Sequence, residues 1–166
     1  MIKIGDRIPE ATLSESTEFG EACPVSPSNV SVAESTRGKR VVIFGLTGAY
    51  TPTCSAKHVP GYLELLPALK AKKVDEVWCV SVNDGYVMAA WGKAENAIGK
   101  VRMLGDGSAE LAKKLGLELD LTKHGMGVRM QRFSMFVDDG VVKQLNVEAP
   151  GTFEVSDAAT MLKQLG

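Results

Sequence analysis

The chain has 166 residues, with 19 Lys and Arg against 20 Asp and Glu and a formal net charge of −1. That length suits a single domain, residues 1–166, with a sizeable core. The balanced charge excludes the basic footprint of a nucleic-acid binder and the polybasic patch of a membrane-surface protein.

No apolar run approaches the ~18 residues of a membrane-spanning helix. Met1–Asp6 lacks the basic start and apolar core of a secretory signal. The cysteines, Cys23, Cys54 and Cys79, are odd in number and widely spaced. They argue against a disulfide framework and for a reducing, cytoplasmic setting in which at least one thiol is kept for chemistry.

Residues 1–13 read as a turn and a short edge strand. Residues 14–31, rich in Ser, Glu, Thr and Pro, read as a surface excursion with a short strand near Ala22. Val30–Ala33 is a further extended piece, and Arg37–Arg40 a polar turn. Val41–Leu46 is a continuous apolar run without alternation, the pattern of a central parallel strand buried on both faces. From Thr53 to about Lys72, Val59, Tyr62, Leu63, Leu66 and Leu69 fall at helical spacing, with Pro60 and Pro67 set to kink or split the helix.

Val77–Val82 repeats the buried-strand pattern, and Asn83-Asp84 can cap a helix over Gly85–Asn96. Val101–Leu104 is a third strand. Ser108 is positioned to cap a helix that Gly116 ends, and residues 117–128 read as a loop. Arg132–Val137, Asp138-Asp139-Gly140 and Val141–Val147 predict a hairpin, and Ser156 or Asp157 caps a closing helix. The order describes an α/β domain: a mixed central sheet with helices on both faces, ending in a β-hairpin and a helix.

The densest chemistry lies at Thr51-Pro52-Thr53-Cys54, where the first central strand turns into a helix. A cysteine in a helix's first turn sits beside unpaired N–H groups and the positive dipole end, which favours the thiolate nucleophile. Pro52 suits a position just before or at the first helical residue, where its missing N–H costs nothing. Thr51 can aim a hydroxyl at the sulfur or at an oxygen bound to it. Thr-x-x-Cys has the spacing of Cys-x-x-Cys with the first cysteine replaced, so a local disulfide cannot close. Oxidation then stops most naturally at a sulfenic acid. A thiolate flanked by donors suits attack on a peroxide O–O bond.

Gly48–Ser55, continuing to His58-Val59-Pro60-Gly61-Tyr62, resembles the active-site signature of the peroxiredoxins in its type II, peroxiredoxin-5-like form. Lys3–Asp6 with Pro9, Cys79–Asp84 with Trp91, Gly105-Asp106 and Arg132-Phe133-Ser134-Met135 resemble the same subfamily, so the likeness spans nearly the whole chain. The resemblance implies a thioredoxin-like fold. It also implies reduction of hydrogen peroxide and organic hydroperoxides with no metal or organic cofactor, by an enzyme that is often a homodimer. It makes Cys54 the peroxidatic cysteine, with Thr51, Pro52 and Arg132 completing the site. Residue chemistry alone does not choose between Arg129 and Arg132, which would face opposite sides of one strand; the Arg-Phe-Ser match selects Arg132.

His58 reads as a histidine packed behind the active loop, with an electrostatic role or a zinc site as alternatives; His124 stands apart from any cysteine. Cys79 is either a small hydrophobe inside its strand or, by the resemblance, a resolving partner. It stands about three residues inside that strand, roughly 10 Å at ~3.3 Å per residue, beyond disulfide reach. A Cys54–Cys79 bridge therefore requires the active helix to unwind. Cys23 reads as an incidental exposed thiol. Residues 140–166 contain no cysteine, which favours recycling by an external thiol, glutathione with glutaredoxin or thioredoxin. A thiol–disulfide exchange protein and a non-enzymatic peroxide sensor are the alternatives on the same fold. Tyr50 is a candidate for an apolar rim or a dimer contact.

Overall fold

A computed structural model describes residues 1–166. In chain order it holds β1 (Thr12–Glu15), β2 (Ser28–Ser31), α1 (Val32–Thr36), β3 (Arg40–Leu46), a π-helical turn (Cys54–His58), α2 (Val59–Glu64) and α3 (Leu66–Ala71). There follow β4 (Glu76–Ser81), α4 (Gly85–Ala94), β5 (Arg102–Gly105), α5 (Glu110–Leu115), β6 (Glu118–Leu121), β7 (Gly127–Met130), β8 (Phe133–Asp138), β9 (Val141–Val147) and α6 (Ala158–Gln164).

One seven-stranded sheet runs β2-β1-β5-β4-β3-β8-β9. Strands β5, β4 and β3 are parallel, whereas β8 and β9 continue antiparallel on one side and β1 and β2 on the other. This is the mixed sheet expected from the sequence. Its central runs are apolar throughout because each face packs a core of its own. Val41, Ile43, Trp78, Val80, Met135 and Val137 face one cluster, closed by Leu111 and Leu115 of α5. Val42, Phe44, Leu46, Val77 and Cys79 face the other, closed by Tyr62, Leu69, Met88, Trp91 and Met161 from α2, α3, α4 and α6.

Gly45 of β3 is needed where Phe133 and Met130 cross above it: a Cβ there would lie 2.7 Å from Met130 Sδ and 2.7 Å from Phe133 Cδ1. Paired charges gather at the N-terminal edge of the parallel strands. Glu76 meets Lys39 at 2.8 Å and Arg102 at 3.1 Å, and Arg102 meets Glu15 at 2.7 Å. The opposite, C-terminal edge is left to the reactive loop.

Several local expectations are corrected. Val32 opens a helix instead of extending the strand, because the Ser31 hydroxyl accepts from Glu34 N at 3.2 Å as an N-cap. No strand forms at Ala22; the chain turns between the bridged residues Phe19 and Pro24. The helix expected to split does so at Leu65, with Pro67 in the first turn of α3. Pro60 lies in the first turn of α2, where its missing donor is tolerated.

Residues 118–121 and 127–130 pair as a small second sheet where a loop was expected. Ser108 does not cap α5. The buried Asp106 carboxylate does so, accepting from Leu111 N at 3.0 Å and Ala112 N at 2.9 Å. Asp157, not Ser156, caps α6.

Candidate active site

The loop after β3 is tied down from both sides. Asn83, just past β4, accepts Ala49 N at 3.0 Å. Arg129 of β7 donates through Nη1 to Thr47 O at 3.3 Å and through Nε to Met126 O at 2.8 Å. Its guanidinium lies so close over Gly48 that a Cβ there would be 2.6 Å from Nη1. The Thr51 hydroxyl donates to Gly48 O at 2.7 Å, leaving its lone pairs free to accept.

Pro52 begins the helical winding, and Cys54 falls in that first turn. Val59 N then bonds to Cys54 O, five residues back, so the chain winds as a π-helical turn through His58. Single π turns that interrupt helices are frequent at functional sites. Here the following residue, Pro60, has no N–H with which to continue the tighter ladder.

Cys54 is fully buried. Arg132, between β7 and β8, donates Nη2–H to Cys54 Sγ at 3.0 Å and Nη1–H to His58 Nδ1 at 2.8 Å. His58 Nε2 lies 3.1 Å from Ser156 O. A ring that accepts at Nδ1 carries its proton on Nε2 and donates it to that carbonyl. Burial, with the Arg132 charge beside it, pulls the His58 pKa down to about 3, so the ring is a neutral acceptor. Phe44 and Phe153 pack against the imidazole at 4.8 and 5.0 Å between ring centroids. Trp91 donates Nε1–H to Ser55 Oγ at 3.0 Å, fastening the turn to α4.

Arg132 and Thr53 also line a cleft of about 300 Å³, walled by Thr47, Leu119, Gln131 and Phe153. No three His, Cys, Asp or Glu side chains converge as metal ligands; the cationic partner of the sulfur is the guanidinium.

The Redoxin family profile matches residues 3–162. Peroxiredoxin-2B of Arabidopsis thaliana is 46% identical over 164 residues, covering 99% of this chain and 98% of that protein. The chain belongs to the peroxiredoxin family. A crystal structure of reduced Prx3 from Vibrio vulnificus, in complex with hydrogen peroxide, covers 100% of both chains at 48% identity and a TM-score of 0.90. A Burkholderia cenocepacia structure with the provisional name of thioredoxin reductase covers 100% of this chain and 99% of its own, at 55% identity and a TM-score of 0.95. The protein is thus a thiol peroxidase on a thioredoxin-like fold.

Within this peroxiredoxin, Thr51, Pro52, Cys54 and Arg132 come together around one turn. Two expectations change. The Thr51 hydroxyl gives its proton to Gly48 O and not to the sulfur. The two arginines do not share a strand: Arg129 belongs to β7 and Arg132 follows it, so both reach the reactive loop, Arg129 at Thr47 and Arg132 at Cys54.

Cys79 lies fully buried in β4 opposite Phe44, and burial, with Cys54 nearby, pushes its thiol pKa well up. Cys23 is exposed, and all three cysteines are free thiols. His58 is the residue sequence reading undervalued. Its spacing from Cys54 was visible, but its partner Arg132 is 74 residues away.

Proposed function

We propose that the Cys54 thiolate attacks one oxygen of hydrogen peroxide or an organic hydroperoxide. An S–O bond forms as the O–O bond breaks, and the leaving hydroxide or alkoxide takes a proton to depart as water or an alcohol. Cys54, oxidised by two electrons, becomes the sulfenic acid. Arg132 donates to the reacting oxygens and the sulfur, and Thr51 accepts the peroxide O–H. Pro52 shapes the turn that presents both.

The observation that carries this reading is the Arg132 Nη2 contact at 3.0 Å from Sγ, beside a threonine whose proton is already engaged by Gly48 O. That the reduced Vibrio vulnificus relative was solved with hydrogen peroxide supports the substrate.

Recycling falls to an external thiol, glutathione with glutaredoxin or thioredoxin. It attacks the sulfenic sulfur, releases water and leaves a mixed disulfide that a second thiol reduces. Burial of Cys79 and its raised pKa support this over internal resolution, because a protonated thiol inside a strand is a poor nucleophile. The three unpaired thiols fit a cytoplasmic setting, and the exposed rings of Tyr50 and Tyr86 offer apolar area for a homodimer contact.

Stopped-flow mixing with hydrogen peroxide tests the scheme. Cys54→Ser should abolish rapid consumption, while Cys79→Ser should keep the first oxidation. Full turnover by Cys54→Ser would refute it, and a wild-type rate no faster than free cysteine would favour a sensor or exchange role. Recycling assays with each reductant system identify the electron donor.

A further inference from the structure

Arg132 needs a fixed orientation, because one guanidinium edge must serve both His58 and the sulfur. Apart from the sulfur, each contact of its guanidinium leads to one segment, residues 149–156. His58 is held by Ser156 O, which also accepts the Tyr62 hydroxyl at 2.9 Å. The Phe153 ring lies 5.7 Å from Arg132 Cζ and 5.0 Å from the His58 ring.

That segment has no regular structure of its own. It is wound around the nearly buried carboxylate of Glu148. Oε1 accepts from Thr152 Oγ1 and Glu154 N, each at 2.9 Å. Oε2 accepts from Glu154 N and Val155 N at 2.9 Å, Ser156 N at 2.8 Å and Ser156 Oγ at 2.7 Å. Glu148 also grips Arg132 directly, its N–H donating to Arg132 O at 3.0 Å.

From this arrangement we propose that Glu148 is a positioning residue for Arg132. Its carboxylate fixes the Ser156 carbonyl, that carbonyl fixes the neutral His58 ring, and the ring aims the guanidinium at Cys54. The inference rests on the peroxide chemistry proposed above. Burial alone would push the Glu148 carboxyl up. The Ser156 hydroxyl and the three backbone N–H groups outweigh it and pull the pKa down to about 2, so the anchor stays charged at any pH at which the enzyme works. No cation pairs with it; the loop's own donors balance its charge.

The test is a double-mutant cycle read by stopped-flow oxidation of Cys54 with hydrogen peroxide. Glu148→Gln replaces one acceptor oxygen with an N–H₂ group that faces other donors. It should slow oxidation roughly 10- to 100-fold, the effect of misplacing a reacting group by about 1 Å. In an Arg132→Met background the same substitution should leave the slow residual rate unchanged while still lowering Tm. A purely structural glutamate would lower Tm equally but slow both backgrounds by the same factor, or neither, and either result overturns the proposal.

Ser156→Ala removes one donor and leaves the carbonyl in place. It should show the same Arg132 dependence at smaller amplitude and decides the question if Glu148→Gln fails to fold. The His58 Nε2–H proton resonance should shift or broaden in both variants. A fast wild-type reaction that Glu148→Gln does not slow defeats this inference alone, whereas a slow wild-type reaction defeats the peroxidase assignment of Cys54.

Discussion

The neutral state of His58 has a measurable thermodynamic consequence. The unfolded chain binds a proton at this position below about pH 6.5, histidine's ordinary pKa. The folded chain, with the ring buried beside Arg132, does not do so until about pH 3. Between those values the unfolded state holds the extra proton, so stability falls as pH falls and is fully present only above the unfolded pKa. Integrated for this one group, the loss between pH 7 and pH 5 is about 2 kcal/mol.

Urea unfolding at the two pH values gives the total acid loss. Wild type set against His58→Gln isolates this group, because the other titrating residues are common to both. A glutamine can accept from Arg132 and donate to Ser156 O without titrating, so the variant should lose about 2 kcal/mol less between pH 7 and pH 5. Equal losses would refute the claim that His58 is held neutral, and with it the assignment of its Nδ1 as the acceptor that orients Arg132.

Thr51→Val removes the hydrogen bond to Gly48 O, which should cost about 1 kcal/mol in stability, but it should slow Cys54 oxidation roughly 100-fold; losses of equal size would make Thr51 a structural cap. Arg132→Lys keeps the charge but cannot serve His58 and Sγ with a planar fork. Peroxide oxidation should slow roughly 10- to 100-fold, and a wild-type rate would show that charge alone suffices. Gly45→Ala should lower unfolding stability by about 1–3 kcal/mol through overpacking against Phe133 and Met130, measured by denaturant titration; an unchanged midpoint would mean that β8 can yield.

The parts of the fold that could be read from sequence share a cause. Val41–Leu46 and Val77–Val82 announce central strands because both faces of the sheet are buried, and Asp138-Asp139-Gly140 announces a hairpin because its turn needs left-handed backbone. The β6–β7 pair escaped although both halves alternate, Leu119 and Leu121 in one and Val128 and Met130 in the other, because each alternation spans only four residues. The glycines between them, Gly125 and Gly127, read equally well as loop.

In the site, Thr51 through Cys54 was legible as a local motif. His58 and Glu148 were not, for different reasons. His58 acts through an arginine far along the chain. Glu148 acts on backbone N–H groups and the hydroxyls of Thr152 and Ser156, donors that leave no distinctive side-chain pattern in the sequence. Asp106 was missed for a similar reason, since its partners are the amides of Leu111 and Ala112.

The two tryptophans pack in the cores on opposite faces of the sheet, Trp78 from β4 and Trp91 from α4. Trp78 is anchored by Glu76 among the charges at the N-terminal edge, with Arg102 Cζ 5.4 Å from its ring. Trp91 is bonded to Ser55, the residue after the reactive cysteine, and the Tyr50 ring lies 6.4 Å away. Any unwinding of the Cys54 turn must break the Trp91 bond and leaves Trp78 untouched. The molecule therefore carries an optical gauge of its own turn together with an internal standard. Single-tryptophan variants can follow opening and closing of the turn by intrinsic fluorescence, without a label.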